Sequence, residues 1–131
     1  MEDVKRALSG WLPVLAYLGI ITFLSSRTGS SLPTWSFMKH DKVLHTIEYG
    51  GLGFLLCRAL GPHVRRPGAQ VALAAALGLA FGVLDEFHQS FVAGRNGNDP
   101  GDMTADLTGA LLGALAFFAL RRLFSKGAKT S

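Results

Sequence analysis

The sequence predicts an all-α membrane protein with four transmembrane helices in an up-down bundle and both termini in the cytoplasm. The composition is unusually apolar, with 49% hydrophobic residues, 17% charged residues and a mean hydropathy of +0.31. The apolar residues gather in four stretches of about 14–18 residues, slightly short of the ~20 that span a bilayer, and their flanking turns extend them to spanning length. These stretches are Trp11–Leu24, Val43–Leu60, Ala69–Leu84 and Leu107–Leu120.

The third stretch argues against a soluble helical bundle. A soluble bundle needs a polar stripe along every helix, whereas Ala69–Leu84 has one polar residue, Gln70, near its start. The first stretch follows Lys5 and Arg6 as a secretory signal would, but no A-x-A-like cleavage site comes after it, so we interpret it as a membrane helix. We expect residues 1–131 to form a single domain.

The distribution of charge predicts the orientation and does not favour nucleic-acid binding, although the net charge is +4. With four spans, both termini and the second loop share one side, which the positive-inside rule places in the cytoplasm. Nine of the 13 basic residues fall there: Lys5, Arg6, Arg58, Arg65, Arg66, Arg121, Arg122, Lys126 and Lys129. Seven of the nine acids fall on the opposite, outer side: Asp41, Glu48, Asp85, Glu86, Asp99, Asp102 and Asp106.

Three of the predicted helices carry a polar face at their outer ends, and two of these faces continue as glycines. The GxxxG pairs Gly78–Gly82 and Gly109–Gly113 allow close approach of backbones in lipid, within one chain or between copies. We therefore expect the three faces to pack together, with the acids converging in an outward-facing pocket. The faces are Asp41, His45 and Glu48; Gly78, Gly82, Asp85 and Gln89, with His88 nearby; and Asp102, Asp106, Gly109 and Gly113.

Depth in the membrane makes this pocket a functional hypothesis. If the third helix continues to about Val92, Asp85 lies roughly 10 Å below its outer end. Glu48 is similarly inside its span. Ionisable groups at such depth are costly, so they face the bundle interior or a wet cavity, and their default interpretation is functional.

Three chemistries fit the pocket, and a purely structural role is the alternative to them. A divalent metal is one, with His45, Glu48, Asp85 and His88 as candidate ligands, because carboxylate and imidazole lie one turn apart on two helices. General acid–base catalysis by Glu48, Asp85, Glu86 and His88 on a lipid-linked substrate is another, with Arg95 gripping a phosphate. The pocket can also bind a headgroup without reacting. In the structural alternative, Arg95 and Lys42 neutralise the acids and Asp102 caps the fourth helix.

Three motifs occur in the order DKVLHTIEYGGLG (41–53), DEFHQSFVAGR (85–95) and DMTADLTGALLG (102–113). With these motifs, residues 41–113 resemble the VanZ-like family of small bacterial membrane proteins. The resemblance places ten residues at signature positions: Asp41, Lys42, His45, Tyr49, Asp85, Glu86, Gln89, Arg95, Asp102 and Gly109. Asp106 departs from the pattern, which commonly has Asn there.

The resemblance implies a multi-pass protein of the bacterial cytoplasmic membrane with a cell-envelope role, since the family is named for a link to teicoplanin resistance. Its ligands are then lipid headgroups, lipid-linked wall precursors or a glycopeptide, with membrane lipids as partners. We expect the side chains that bind them to be Lys42, His45, Tyr49, Gln89, Arg95, Asp102 and Asp106. The alternative is a non-catalytic protein whose polar network is structural and which acts through partners or alters antibiotic access.

Overall fold

The protein consists of four helices: α1 (Glu2–Ser25), α2 (Thr34–Leu60), α3 (Pro67–Gln89) and α4 (Pro100–Gly127). The computed structural model describes residues 1–27 and 34–127, with the backbone only for 34–41, so the side chain of Asp41 and the tail residue Lys129 lie outside the described part. Within that part there is no strand, which confirms the all-α prediction.

Three of the helices, α1, α3 and α4, are long and apolar enough to cross a membrane. At 27 residues, α2 is also long enough, at about 40 Å. It is more polar than the others because it carries Lys42, His45 and Glu48 near its middle. Large apolar side chains cover the outside of the bundle, among them Leu15, which is 62% exposed, as expected of helices that face lipid.

The most extensive helix contact joins α2 to α4, which are not neighbours in sequence. Gly109 approaches Thr46 and Gly50 of α2, and Gly113 approaches Gly50 one turn further on, so the two helices run parallel. A Cβ at Gly113 would overlap the Gly50 carbonyl oxygen. The predicted GxxxG face of α4 thus packs within the chain, against the parallel helix α2.

α3 packs against α4 in the antiparallel sense through its own small residues. A Cβ at Gly78 would overlap the Ala110 side chain, and one at Gly82 would crowd the Asp106 carboxylate. α1 contacts mainly α2, where the Tyr17 hydroxyl donates to the main-chain oxygen of Glu48 at 2.9 Å. Helices α2, α3 and α4 therefore surround the polar residues, as the three faces predict.

α3 ends at Gln89, so the prediction that it continues to about Val92 is wrong. The main-chain oxygen of Glu86 accepts both the Ser90 amide and the Asn98 amide, because the loop folds back over the helix end. This return uses positive φ at Gly94 (73°) and Asn98 (62°), conformations that Gly and Asn adopt most readily. Asp85 consequently lies about 6 Å, one turn, from the end of α3.

Candidate functional site

The predicted site residues meet at one end of the bundle, where α2 and α4 begin and α3 ends. Most of them are buried although they are polar, which in a native fold requires partners. The buried members are His45, Tyr49, Asp85, Glu86, Gln89, Asp102 and Asp106. Glu48, His88 and Arg95 are half-buried, and Lys42 is exposed.

A buried hydrogen bond joins α2 to α4 at the centre of this end. His45 Nδ1 lies 2.8 Å from Asp106 Oδ1, and the two residues are 6% and 0% exposed. Both come from the faces that sequence spacing predicts, because His45 shares its face with Glu48, and Asp106 is three residues before Gly109. The His45 ring also lies nearly parallel to that of Tyr49, with centroids 6.4 Å apart.

Glu86 is the most enclosed acid of α3, at 0% exposure. Its Oε2 accepts the main-chain amide of Asp99 at 2.9 Å, which ties the loop before α4 to the end of α3. Its Oε1 is buried and has no hydrogen-bond partner among the described residues. One carboxylate oxygen is therefore fixed by the loop, and the other is left for a further group.

Asp99, rather than Asp102, caps α4. The Asp99 Oδ1 accepts the Gly101 amide at 2.7 Å, directly before the helix begins at Pro100. This hydrogen bond, reinforced by the Lys42 charge, lowers the pKa of the Asp99 carboxyl. The prediction that Asp102 caps the helix is wrong, because its Oδ1 instead accepts from Lys42 Nζ at 3.0 Å. An Asp directly before a Pro is a helix-start signal that identifies this cap.

Lys42 forms ion pairs with two of these acids. Its Nζ lies 3.0 Å from Asp102 and 3.6 Å from Asp99. The predicted neutralisation by Lys42 is thus present in the structure, between the start of α2 and the start of α4. Arg95 lies in the loop after α3 and interacts electrostatically with Glu48.

Asp85 and His88 face a different surface of α3 from Glu86. Gln89 Nε2 donates to Asp85 Oδ2 at 2.9 Å. Asp85 and His88 line an open groove of about 230 Å³ between α1, α2 and α3. The rest of its lining is Tyr49 together with Leu18, Ile21, Thr22, Phe81 and Leu84. The groove is apolar along most of its length and polar where it meets the site.

The residues with metal-ligand spacing are not the predicted set. Among the described residues, His45, Glu86 and Asp102 offer donor atoms that all lie within 4.8 Å of one another. Of the expected ligands His45, Glu48, Asp85 and His88, only His45 belongs to this group. Glu86 enters because it lies four residues after Gly82 and so shares the α4-facing side of α3.

A family model described as VanZ/LLP1 matches residues 11–122 of the chain. The chain belongs to the VanZ-like family. The match confirms the resemblance inferred from the three motifs and covers nearly the whole bundle and every site residue. With three helices that are long and apolar enough to cross a bilayer, this is a VanZ-like membrane protein. No curated protein and no solved structure matches the chain.

Proposed function

We propose that this VanZ-like protein spans the bacterial cytoplasmic membrane four times and binds a phosphate-bearing lipid headgroup at its outward-facing polar end. Both termini then lie in the cytoplasm, as the positive-inside rule requires. Membrane lipids and lipid-linked cell-wall precursors are amphiphiles of this class. A glycopeptide with an apolar tail is the third candidate, and the family's link to teicoplanin resistance motivates it.

The observation that carries the proposal is the groove between α1, α2 and α3. Its apolar lining suits a hydrocarbon chain, and Asp85 and His88 stand at its polar part. The His88 Nδ1 is buried and has no hydrogen-bond partner among residues 1–27 and 42–127. A volume of about 230 Å³ is smaller than the ~300–1,000 Å³ typical of small-molecule pockets. Such a groove holds part of an amphiphile while the remainder stays in the bilayer.

The mixture of acidic and basic side chains at this end suits a headgroup that carries an amine or hydroxyl group as well as the phosphate. Asp85 and Glu48 accept hydrogen bonds from hydroxyl or amine groups, whereas His88 and Arg95 bind phosphate oxygens. Lys42, 59% exposed at its side chain, adds a positive charge near the same end. A negatively charged headgroup can therefore pair with basic side chains, although acidic residues outnumber basic ones at this end of the bundle. The function is binding or processing of the head, and both begin with recognition of the phosphate.

The headgroup proposal predicts a thermal stabilisation that depends on the phosphate. Phosphatidic acid should raise the melting temperature of the detergent-solubilised protein by several degrees more than diacylglycerol with identical chains. A ligand at 100 times its Kd adds about 2.7 kcal/mol to the free energy of unfolding. The measurement is a thermal-denaturation series over lipid concentration for the wild type and two His→Leu variants.

The two histidines provide the matched control. His88→Leu should clearly reduce the phosphate-dependent part of the shift, while His63→Leu, the same change in the exposed loop before α3, should retain it. Asp85→Asn serves as a second variant at the groove. Equal stabilisation of the wild type by the two lipids would exclude headgroup recognition. It would favour the alternative, a structural polar network in a protein that acts through partners or alters antibiotic access.

A further inference from the structure

We propose that His45, Glu86 and Asp102 bind one divalent first-row transition-metal ion, Mn²⁺ or Zn²⁺, and that Asp106 positions the imidazole. The three ligands come from α2, α3 and α4, and their donor atoms lie within 4.8 Å of one another. A metal at about 2.0–2.2 Å from each donor holds any two donors no more than about 4.4 Å apart. A small closure of the side chains completes the site.

The concentration of buried negative charge is the first reason for a cation here. Glu86, Asp102 and Asp106 are 0%, 3% and 0% exposed. Their partners in the described hydrogen bonds and ion pairs are His45, the side chain of Lys42 and the Asp99 amide. Burying carboxylates without compensation costs several kcal/mol each. One dication among the three helices offsets that cost.

The second reason for a cation does not depend on the short distances between the three donor atoms. Glu86 Oε1 and Asp106 Oδ2 are both buried and lack a hydrogen-bond partner among the described residues. Native proteins leave few buried polar atoms unsatisfied, and a bound ion is one of the explanations for those that remain. Glu86 belongs to the donor set, and its carboxylate is already oriented by the Asp99 amide at Oε2. The unsatisfied oxygen is therefore on a ligand whose position is fixed.

The third reason is the pairing of His45 with Asp106. A histidine that ligates a metal almost always bonds its other ring nitrogen to a carboxylate, carbonyl or water, which fixes the tautomer and the ring orientation. The 2.8 Å contact between His45 Nδ1 and Asp106 Oδ1 has this form. The mixture of one imidazole and two carboxylates suits Mn²⁺ or Zn²⁺ better than Ca²⁺ or Cu⁺. Three protein ligands also leave coordination positions for water or another oxygen ligand.

The test measures metal directly and does not rest on the headgroup proposal. Wild-type protein purified in detergent, stripped with chelator and dialysed, is titrated with Mn²⁺ and with Zn²⁺. We expect one ion per chain by elemental analysis, a rise in melting temperature with either metal, and a Mn²⁺ electron paramagnetic resonance spectrum of bound ion. Absence of all three signals from folded wild type would overturn the metal site while leaving headgroup binding open.

Substitutions test which residues bind the metal ion. Glu86→Gln keeps the shape of the side chain and should weaken metal binding at least about 100-fold, because it removes a charged ligand. Asp106→Asn should weaken binding about 10–100-fold, the effect usual for a residue that orients a metal-bound histidine. Glu2→Gln, an exposed acid at the start of α1, controls for the loss of one negative charge. Wild-type affinity in both site variants would contradict the assignment, and their melting without metal shows whether they fold.

Discussion

Replacing Gly113 by alanine should separate α2 from α4 and markedly lower the stability of the folded bundle. The added Cβ would overlap the Gly50 carbonyl oxygen and lie 2.9 Å from the Phe54 amide nitrogen. Both obstacles are backbone atoms of a helix, which cannot move aside as a side chain can. Overpacking of this kind costs about 1–3 kcal/mol and sometimes more. Thermal denaturation in detergent, with the folded fraction read by size-exclusion chromatography, measures the loss.

The chain contains a matched control for this substitution. Gly19 of α1 has no atom within 4 Å of the place where a Cβ would stand, among the described residues. Gly19→Ala should therefore leave the melting temperature unchanged or raise it slightly, since alanine favours a helix over glycine by up to about 1 kcal/mol. Equal melting temperatures for Gly113→Ala and Gly19→Ala would contradict the close parallel contact of α2 with α4.

The second large effect is expected at Asp106. Asp106→Ala removes the hydrogen-bond partner of His45 at the centre of the bundle. A buried polar group left without its partner costs about 1–3 kcal/mol. The carboxylate also lies beside Gly82 of α3, so its removal leaves a gap between α3 and α4 that the glycine cannot fill. The melting temperature should fall well below that of the wild type.

Replacing Asp106 by asparagine distinguishes the effect of the hydrogen bond to His45 from the effect of the negative charge. Its amide accepts or donates, so it can pair with His45 in either tautomer. Asp106→Asn should keep the melting temperature of the metal-free protein close to wild type while Asp106→Ala lowers it. Equal melting of the alanine and asparagine variants would show that the His45–Asp106 hydrogen bond does not stabilise the fold.

Hydropathy and helical spacing predict much of this molecule. The four apolar stretches all lie within helices, and the faces containing His45, Gln89 and Asp106 do converge at one end. These features follow from local properties, namely the length of apolar runs and the 3.6-residue period. The pair Gly109 and Gly113 likewise predicts that α4 packs closely against another helix.

The partner of each face was not predictable in the same way. A glycine face permits close approach to any helix, so the sequence does not specify that Gly113 contacts Gly50 of the parallel helix α2. The end of α3 was also misjudged, because the Asn98 amide returns to Glu86 through contacts that no local pattern records. Both features depend on tertiary contacts between distant parts of the chain.

Spacing alone does not decide which of the adjacent acids Asp85 and Glu86 faces α4. Asp85 and Glu86 lie three and four residues after Gly82, and either spacing continues a helical face. The spacing led us to place Asp85 on that face, whereas the structure places Glu86 near His45 and Asp102, and Asp85 on the groove with His88. The two acids therefore divide between two surfaces of α3. A rotation of about 100° between consecutive residues separates the proposed metal site from the proposed headgroup groove.

The proposed access of ligands from outside the cell depends on which way the polar end faces, and single cysteines on intact cells test this most directly. Asn96 and Gly68 are exposed at opposite ends of α3, and Asn96 avoids the positive φ of Asn98. The native Cys57 is buried, so the wild type should remain unlabelled. An impermeant thiol reagent should label Asn96→Cys on intact cells, and Gly68→Cys only after permeabilisation. The reverse pattern would place the polar end in the cytoplasm and contradict the proposed function.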